Sequence, residues 1–268
     1  MLNNLILVAD DYALCESINE GIIEAYTQGN INFVSIFSNM PGLEHGLNLL
    51  KQASKLKYGL HFSLNRGVCF NKSSTLCDGK NFYSRFELIK KIYQKKINPE
   101  DIKNELIHQI QKLEERGLKI TTIDSDNHIH HNAFILESII PILKKKKISI
   151  RRIKPLLITK FNIRFLKQIY FFLNDINLNK NVDNIIYRND IFVSPYDTNN
   201  NFDKFILLVN TLAKKSDNMR IELMLHPYKK NKEIFKIYNS TKDDKFLKNC
   251  FNEYEFLKKK KIFNLLPE

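Results

Sequence analysis

Long apolar runs are missing from this 268-residue chain. No stretch approaches the roughly 18 consecutive apolar residues of a membrane-spanning helix, which excludes a helical membrane protein. A secretory leader is not expected either, because MLNNLILVAD has no basic start and its apolar run ends in the acids Asp10 and Asp11. Cysteine is scarce: Cys15, Cys69, Cys77 and Cys250 form no CxxC pair. They read as free thiols in a reducing compartment, so a cytoplasmic location is expected. Linker-like segments, internal repeats and nucleic-acid-binding motifs are also missing. What is plentiful is positive charge, a formal net +13. The lysines gather in runs such as Lys144 to Lys147 and Lys258 to Lys261, where helices are expected to end and cations are favoured. Asn, Ile, Lys and Phe are frequent throughout, as a coding bias would make them. The charge therefore reads as solvated helix ends, and nucleic acid is not an expected partner.

The chain is long enough to bury a substantial core, and residues 1–268 are expected to form one domain. Short apolar runs alternate with longer helical patterns. LILVA (Leu5 to Ala9) is a buried strand, followed by a helix with Ser17 and Glu20 as a capping box and Gly29 beyond its end. NFVSIF is the second strand and Gly42 to Ala53 a helix; YGLHFSL is the third strand, followed by a loop from Asn65 to Asn81. A helix then starts at the cap Asn98 with Pro99 in its first position and stops at Gly117. KITTIDSDNHIH is the fourth strand, with a helix to about Lys147 after it. ISIRRI, a further helix, a strand near DIFVS, a helix from Phe202 to Lys215, the strand RIELML and a C-terminal helix complete the order. The Asn-rich segment from Asn174 to Asn189 reads as a long loop. Strands alternating with helices mean parallel βαβ units, and about seven of them fit an α/β barrel.

In such folds the chemistry sits at the carboxyl ends of the strands. Asp10 and Asp11 follow strand one, His61 lies late in strand three, and His226 follows RIELML. Strand four runs into TTIDSDNHIHHN, which holds three of the chain's seven histidines. If that stretch stays extended, Asp124, Asp126, His128 and His130, spaced by two, line one face while His131 points the other way. Four ionisable groups on one face are costly to bury unless a metal or other partners neutralise them. A polar loop with hydrogen-bonded histidines is the plainer reading of any one of them. Taken with the other strand-end carboxylates and His61, they suit a hydrolytic divalent ion such as Zn²⁺ or Mg²⁺.

LILVADDYALCESINEGIIEAYTQGNI, YGLHFSLNRG, TIDSDNHIHHN and IELMLHPY occur in that order between Leu5 and Tyr228. Together they resemble the motifs of the YdjC-like carbohydrate deacetylases, the family that includes chitooligosaccharide deacetylase. The resemblance implies a distorted (β/α) barrel, a divalent metal and hydrolysis of an N-acetyl group from an acetylated amino sugar. In one place the chain departs from the family pattern. The third motif there reads Asp, any, His, any, His, any, His, and here Asp126 replaces the first histidine. Asn132 and Ala133 stand near a frequent proline. Three readings stay open: a site suited to a harder ion, recruitment of His128 in place of Asp126, or loss of activity.

On this resemblance Asp11 and His61 are metal ligands, with Asp126 or His128 as the third. Asp10 is the general base, and His226 the general acid that protonates the departing amine. His130 orients a neighbour or contacts substrate. Asp124 fixes an imidazole tautomer. Arg151 or Arg152 touches the sugar or an acidic group, unless either is a surface residue. His45 and His108 are expected on helix surfaces. NRGVCFNKSSTLCDGKNF is expected to form a lid or substrate loop. A sugar- or metabolite-binding protein without catalysis is the alternative function, and a homodimer is left open as the assembly.

Overall fold

The computed structural model describes residues 4–153, 186–215, 218–238, 244–260 and 262. The helix expected between ISIRRI and DIFVS, and most of the Asn174 to Asn189 loop, lie outside the described residues. Among the described residues seven strands occur: β1 (Leu5–Tyr12), β2 (Phe33–Ile36), β3 (Lys57–Phe62), β4 (Thr122–Ser125), β5 (Ser149–Ile150), β6 (Ile191–Val193) and β7 (Ile221–Leu225). All neighbouring pairs are parallel, in the order β5-β4-β3-β2-β1-β7-β6. A parallel bridge between Ile150 and Tyr187 ties β5 to the residues just ahead of β6. Ile150 N–H donates to the Ile186 carbonyl and Arg188 N–H to the Ile150 carbonyl, both at 2.9 Å. The result is a sheet curled into a distorted α/β barrel, as the repeat pattern and the family resemblance lead one to expect.

The helices are α1 (Glu16–Thr27), α2 (Leu43–Gln52), α3 (Arg85–Tyr93), α4 (Pro99–Glu114), α5 (Ala133–Lys146), α6 (Phe202–Lys215), α7 (Lys232–Ile237) and α8 (Lys245–Lys259). Helix α4 follows its sequence signals closely. The Asn98 side chain accepts the Glu100 N–H, Pro99 opens the helix, and Gly117 takes φ +83 just beyond the end. The lysine runs fall where expected: Lys144, Lys145 and Lys146 in the last turn of α5, Lys258 and Lys259 in that of α8. No helix among the described residues is long and apolar enough to cross a membrane.

Three expectations need correction. The α1 cap is not Ser17: Cys15 stands at the N-cap without a side-chain bond. Asn19 Oδ1 instead accepts the Ala13 N–H at 2.6 Å and holds the turn that leads into α1. Helices α3 and α7 were not foreseen. Strand β4 stops at Ser125, and Asp126–His131 form a 3₁₀ turn instead of continuing the strand. Asn127 (φ 53°) and His128 (φ 56°) are left-handed, which breaks both the ladder and the alternation of side chains.

Strand β1 carries the irregularity that matters most. Ala9 pairs with Val34 but Tyr12 pairs with Ile36, so β1 holds one residue more than β2 over that interval. Asp10 and Asp11 are the bulged residues, and Asp11 has φ 65°. In a regular strand two neighbours point to opposite faces; a bulge re-aims them.

Helix α1 packs directly on the segment after β7 that carries His226. A Cβ at Gly21 would lie 2.6 Å from the Pro227 carbonyl oxygen and 2.8 Å from the Lys229 nitrogen. Gly21→Ala should therefore lower stability by about 1–3 kcal/mol of overpacking, against the roughly 1 kcal/mol that alanine gains in helix propensity. A lower urea midpoint at unchanged m-value is the expected result.

Candidate active site

The strand ends bring together two layers of ionisable groups. The inner layer is centred on Arg151, which follows β5 and is 0% exposed. Its guanidinium donates to both Asp10 oxygens at 2.7 Å and to Glu222 Oε1 at 2.5 Å, and lies 3.0 Å from Asp124 Oδ2. Arg188 joins it, donating to Asp124 Oδ2 at 2.7 Å and to both oxygens of Glu222 at 2.6 and 2.9 Å. Ser35 donates to the same Asp124 oxygen at 2.5 Å. Burial alone works against these charges; the guanidiniums of Arg151 and Arg188, together with His61, hold the Asp124 carboxyl well below the carboxylate range.

The outer layer is built on His61, the register partner of Asp124 across β3 and β4. Its Nδ1 is 2.5 Å from Asp124 Oδ1, and its Nε2 is turned to Asp11 Oδ1 at 3.4 Å. A histidine held by a carboxylate at one nitrogen presents the other as a ligand, the arrangement typical of metal-binding imidazoles. Burial opposes the imidazolium, but Asp124 and Asp11 outweigh it and push its pKa up to about 10. Burial likewise opposes the charge on Asp11, but His61, with His226 and Arg66, holds its carboxyl below the usual range. Tyr228 donates its hydroxyl to Asp11 Oδ2, and His226 Nε2 lies 3.9 Å from that oxygen.

The 3₁₀ turn swings Asp126 toward this pair. Ligand atoms of Asp11, His61 and Asp126 all lie within 4.8 Å of one another. Asp10, His61 and Asp124 form a second such group, but its carboxylates are already engaged by Arg151 and Arg188. The charges suit a divalent ion. Among the described residues Asp10, Asp11, Asp124, Asp126 and Glu222 face Arg66, Arg151 and Arg188, a formal deficit of two positive charges when the imidazoles are neutral. The raised pKa of His61 reflects the same imbalance. Mixed carboxylate and imidazole donors of this kind fit Mg²⁺ or Zn²⁺.

The other expected residues are placed differently. Among the described residues His128 belongs to no such group; it is half-buried, with its ring 5.6 Å from that of Phe192. His130 is buried between the Ser125 hydroxyl, 2.5 Å from Nδ1, and the Arg151 carbonyl, 3.1 Å from Nε2. It thus holds the backbone of Arg151. The surface reading of Arg151 is overturned by its complete burial. Arg152 is half-buried, with its guanidinium carbon 5.1 Å from the centre of the Tyr187 ring. His45 is half-buried beside Asn19, and His108 is exposed. Sequence reasoning missed Glu222, Arg188, Arg66, Tyr228 and Glu253. Glu222 did carry a signal, as the one charge in the apolar run IELML.

Residues 4–268 match the family model described as YdjC-like protein. The chain belongs to this family. Relatives of the same name, carbohydrate deacetylase, come from Clostridium beijerinckii at 34% identity and Brevibacillus brevis at 31%. A Vibrio cholerae protein of that name is 28% identical. These matches cover 55–56% of this chain and 58–60% of the relatives, less than two thirds of their length. A crystal structure from Enterococcus faecalis V583, described as that of a cellobiose-phosphate cleavage protein, superposes with a TM-score of 0.71. It covers 97% of this chain and 92% of the other at 18% identity, and shows a shared fold.

Glu253 of α8 supports the His226 backbone, accepting its N–H at 2.5 Å. Burial pushes the Glu253 carboxyl up to about 8, opposed in part by that bond, and Oε1 has no hydrogen-bond partner among the described residues. The folded pKa lies above the ordinary carboxylate value, so stability is lost as pH rises from about 4.5 to 8 and the unfolded chain ionises first. Glu253→Gln should match the native protein in Tm near pH 4 and exceed it at pH 8, by about 2–4 °C per kcal/mol of penalty relieved. Thermal scans at the two pH values measure the difference.

Proposed function

We propose that this YdjC-like protein is a metal-dependent hydrolase that removes the N-acetyl group from an acetylated amino sugar or its oligosaccharides. The observation that carries the reading is the convergence of Asp11, His61 and Asp126 within 4.8 Å, beside Asp10 and His226. The names of the relatives support the acyl group and the sugar.

Asp11, His61 and Asp126 would hold the ion, with Asp124 fixing the His61 tautomer. When bound, the ion supplies Lewis-acid polarisation of the acyl carbonyl and of the attacking water. Asp10 takes the water's proton. Arg151 fixes its carboxylate in one orientation, and each oxygen keeps a lone pair beyond the one that accepts from the guanidinium. The water oxygen bonds to the acetyl carbon, the C–N bond breaks, and acetate and a free amine leave. His226 delivers a proton to the amine nitrogen. Burial lowers its pKa against the pull of Asp11 and Asp10, which makes the imidazolium a stronger acid. Tyr228 and Glu253 hold Asp11 and the His226 backbone in place.

Asp126→Ala should sharply reduce the metal content of the purified protein, whereas Asp126→His should retain it; atomic absorption distinguishes the two. Unchanged content in the alanine variant would transfer the third ligand to His128. Acetate release from N-acetylglucosamine oligomers tests the chemistry. Asp10→Asn should keep the metal and lose about 10²- to 10⁴-fold in rate. His226→Ala should slow the amide more than an O-acetyl ester, whose leaving group needs less protonation. A fully metal-loaded native protein that releases no acetate from any acetylated sugar would leave sugar binding without catalysis as the function.

A further inference from the structure

Asp126 is not a free carboxylate awaiting an ion. Its Oδ2 accepts from Asn65 Nδ2 at 3.0 Å and from Arg66 Nε at 2.9 Å, and its Oδ1 accepts from Asn127 Nδ2 at 2.8 Å. Arg66 is 24% exposed at the side chain, with its guanidinium carbon 4.5 Å from the centre of the Tyr238 ring. The Tyr238 hydroxyl lies 2.7 Å from that of Tyr228, which donates to Asp11. Arg66, Asp126, Asp11, Tyr228 and Tyr238 thus ring the candidate metal site, with one fixed positive charge built into the ring. Two backbone-anchored bonds hold Arg66 there: Ser63 Oγ donates to its carbonyl at 3.0 Å, and its N–H donates to Ser63 Oγ at 3.1 Å.

We propose that Arg66 is a resident cation that competes with the divalent ion for Asp126, and so sets the affinity of the site. The inference rests on the metal-dependent reading above. An ion bound through Asp126 Oδ1 sits beside the guanidinium, and one bound through Oδ2 displaces it. In the first case two positive charges share a largely buried pocket, where their repulsion is far stronger than in water; in the second the guanidinium must give up its bond to Asp126 before the ion can bind. The opposite role is that of a positioning residue that keeps Asp126 aimed at the ion. The two roles predict opposite signs.

Isothermal titration of the metal-free protein with Mg²⁺, Mn²⁺ and Zn²⁺ separates them. Arg66→Gln removes the charge and keeps a hydrogen-bond donor, while the Ser63 turn, made by backbone groups of residue 66, survives. It should bind at least one of the ions about tenfold more tightly than the native protein. Arg66→Lys keeps the charge and should stay within about threefold of the native value, since a lysine lacks the planar fork but not the repulsion. Unchanged or weaker binding by Arg66→Gln overturns the proposal while leaving the metal site standing. If neither the native protein nor Arg66→Gln binds any of the three ions, the metal-dependent reading falls and this inference falls with it. Circular dichroism of the metal-free variants shows that the comparison is between folded proteins.

Discussion

The rest of the structure depends on one guanidinium, that of Arg151. From the end of β5 it reaches Asp10 on β1, Asp124 on β4 and Glu222 on β7. Those strands lie on both sides of the curled sheet, whose two outer strands are tied together through the backbone, among the described residues, by the bridge at Ile150 and Tyr187. Where the hydrogen-bonded ladder is thinnest, ion pairs inside the barrel complete the closure. Arg188, one residue beyond that bridge, adds a second set of bonds to Asp124 and Glu222. Such a layer is unforgiving. Each member is desolvated, and removing one leaves the others charged and unpaired, typically a loss of about 3–5 kcal/mol.

In the proposed hydrolase the same layer would serve the chemistry. Asp10 and Asp124 belong to the scaffold through the arginines and to the site through His61 and the neighbouring Asp11. A carboxylate fixed at both oxygens cannot swing to meet substrate, so substrate and water must come to it. For the proposed reaction this would be preorganisation, built from residues that also hold the barrel together. His130 extends the logic outward by anchoring the Arg151 carbonyl instead of meeting a ligand.

Much of this was legible in the sequence because it is local. Asn98, Pro99 and Gly117 mark a helix through backbone chemistry that needs no partner. The polar residues at the ends of apolar runs marked the rim, and the order of the motifs marked the family. What could not be read depends on distant partners or on dihedral angles. Glu222 looks like a blemish in an apolar strand until Arg151 and Arg188 are placed beside it. Arg188 sat in an Asn-rich stretch with no pattern to single it out. The alternation from Asp124 to His130 is a true property of the sequence, but it has meaning only in an extended chain, and left-handed Asn127 and His128 end that extension after Ser125. Asn and His enter that region more often than most residues, but still in a small minority of cases, so their identities do not announce the turn on their own. Ser17 and Glu20 had the spacing of a capping box, yet the N-cap is Cys15, two residues earlier, and Asn19 holds the preceding turn through the Ala13 N–H.

The extra residue in β1 carries an evolutionary consequence. Deleting one position between Ala9 and Tyr12 would restore an even ladder against β2 and relax the left-handed backbone at Asp11. By every local measure the strand would improve. It would also return neighbouring side chains to opposite faces, so that one carboxylate could serve the Arg151 layer or the His61 pocket but no pair could serve both. The length of this strand, as much as its composition, is therefore what selection has to hold constant. Drift by insertion or deletion is closed to this segment even where drift by substitution is open.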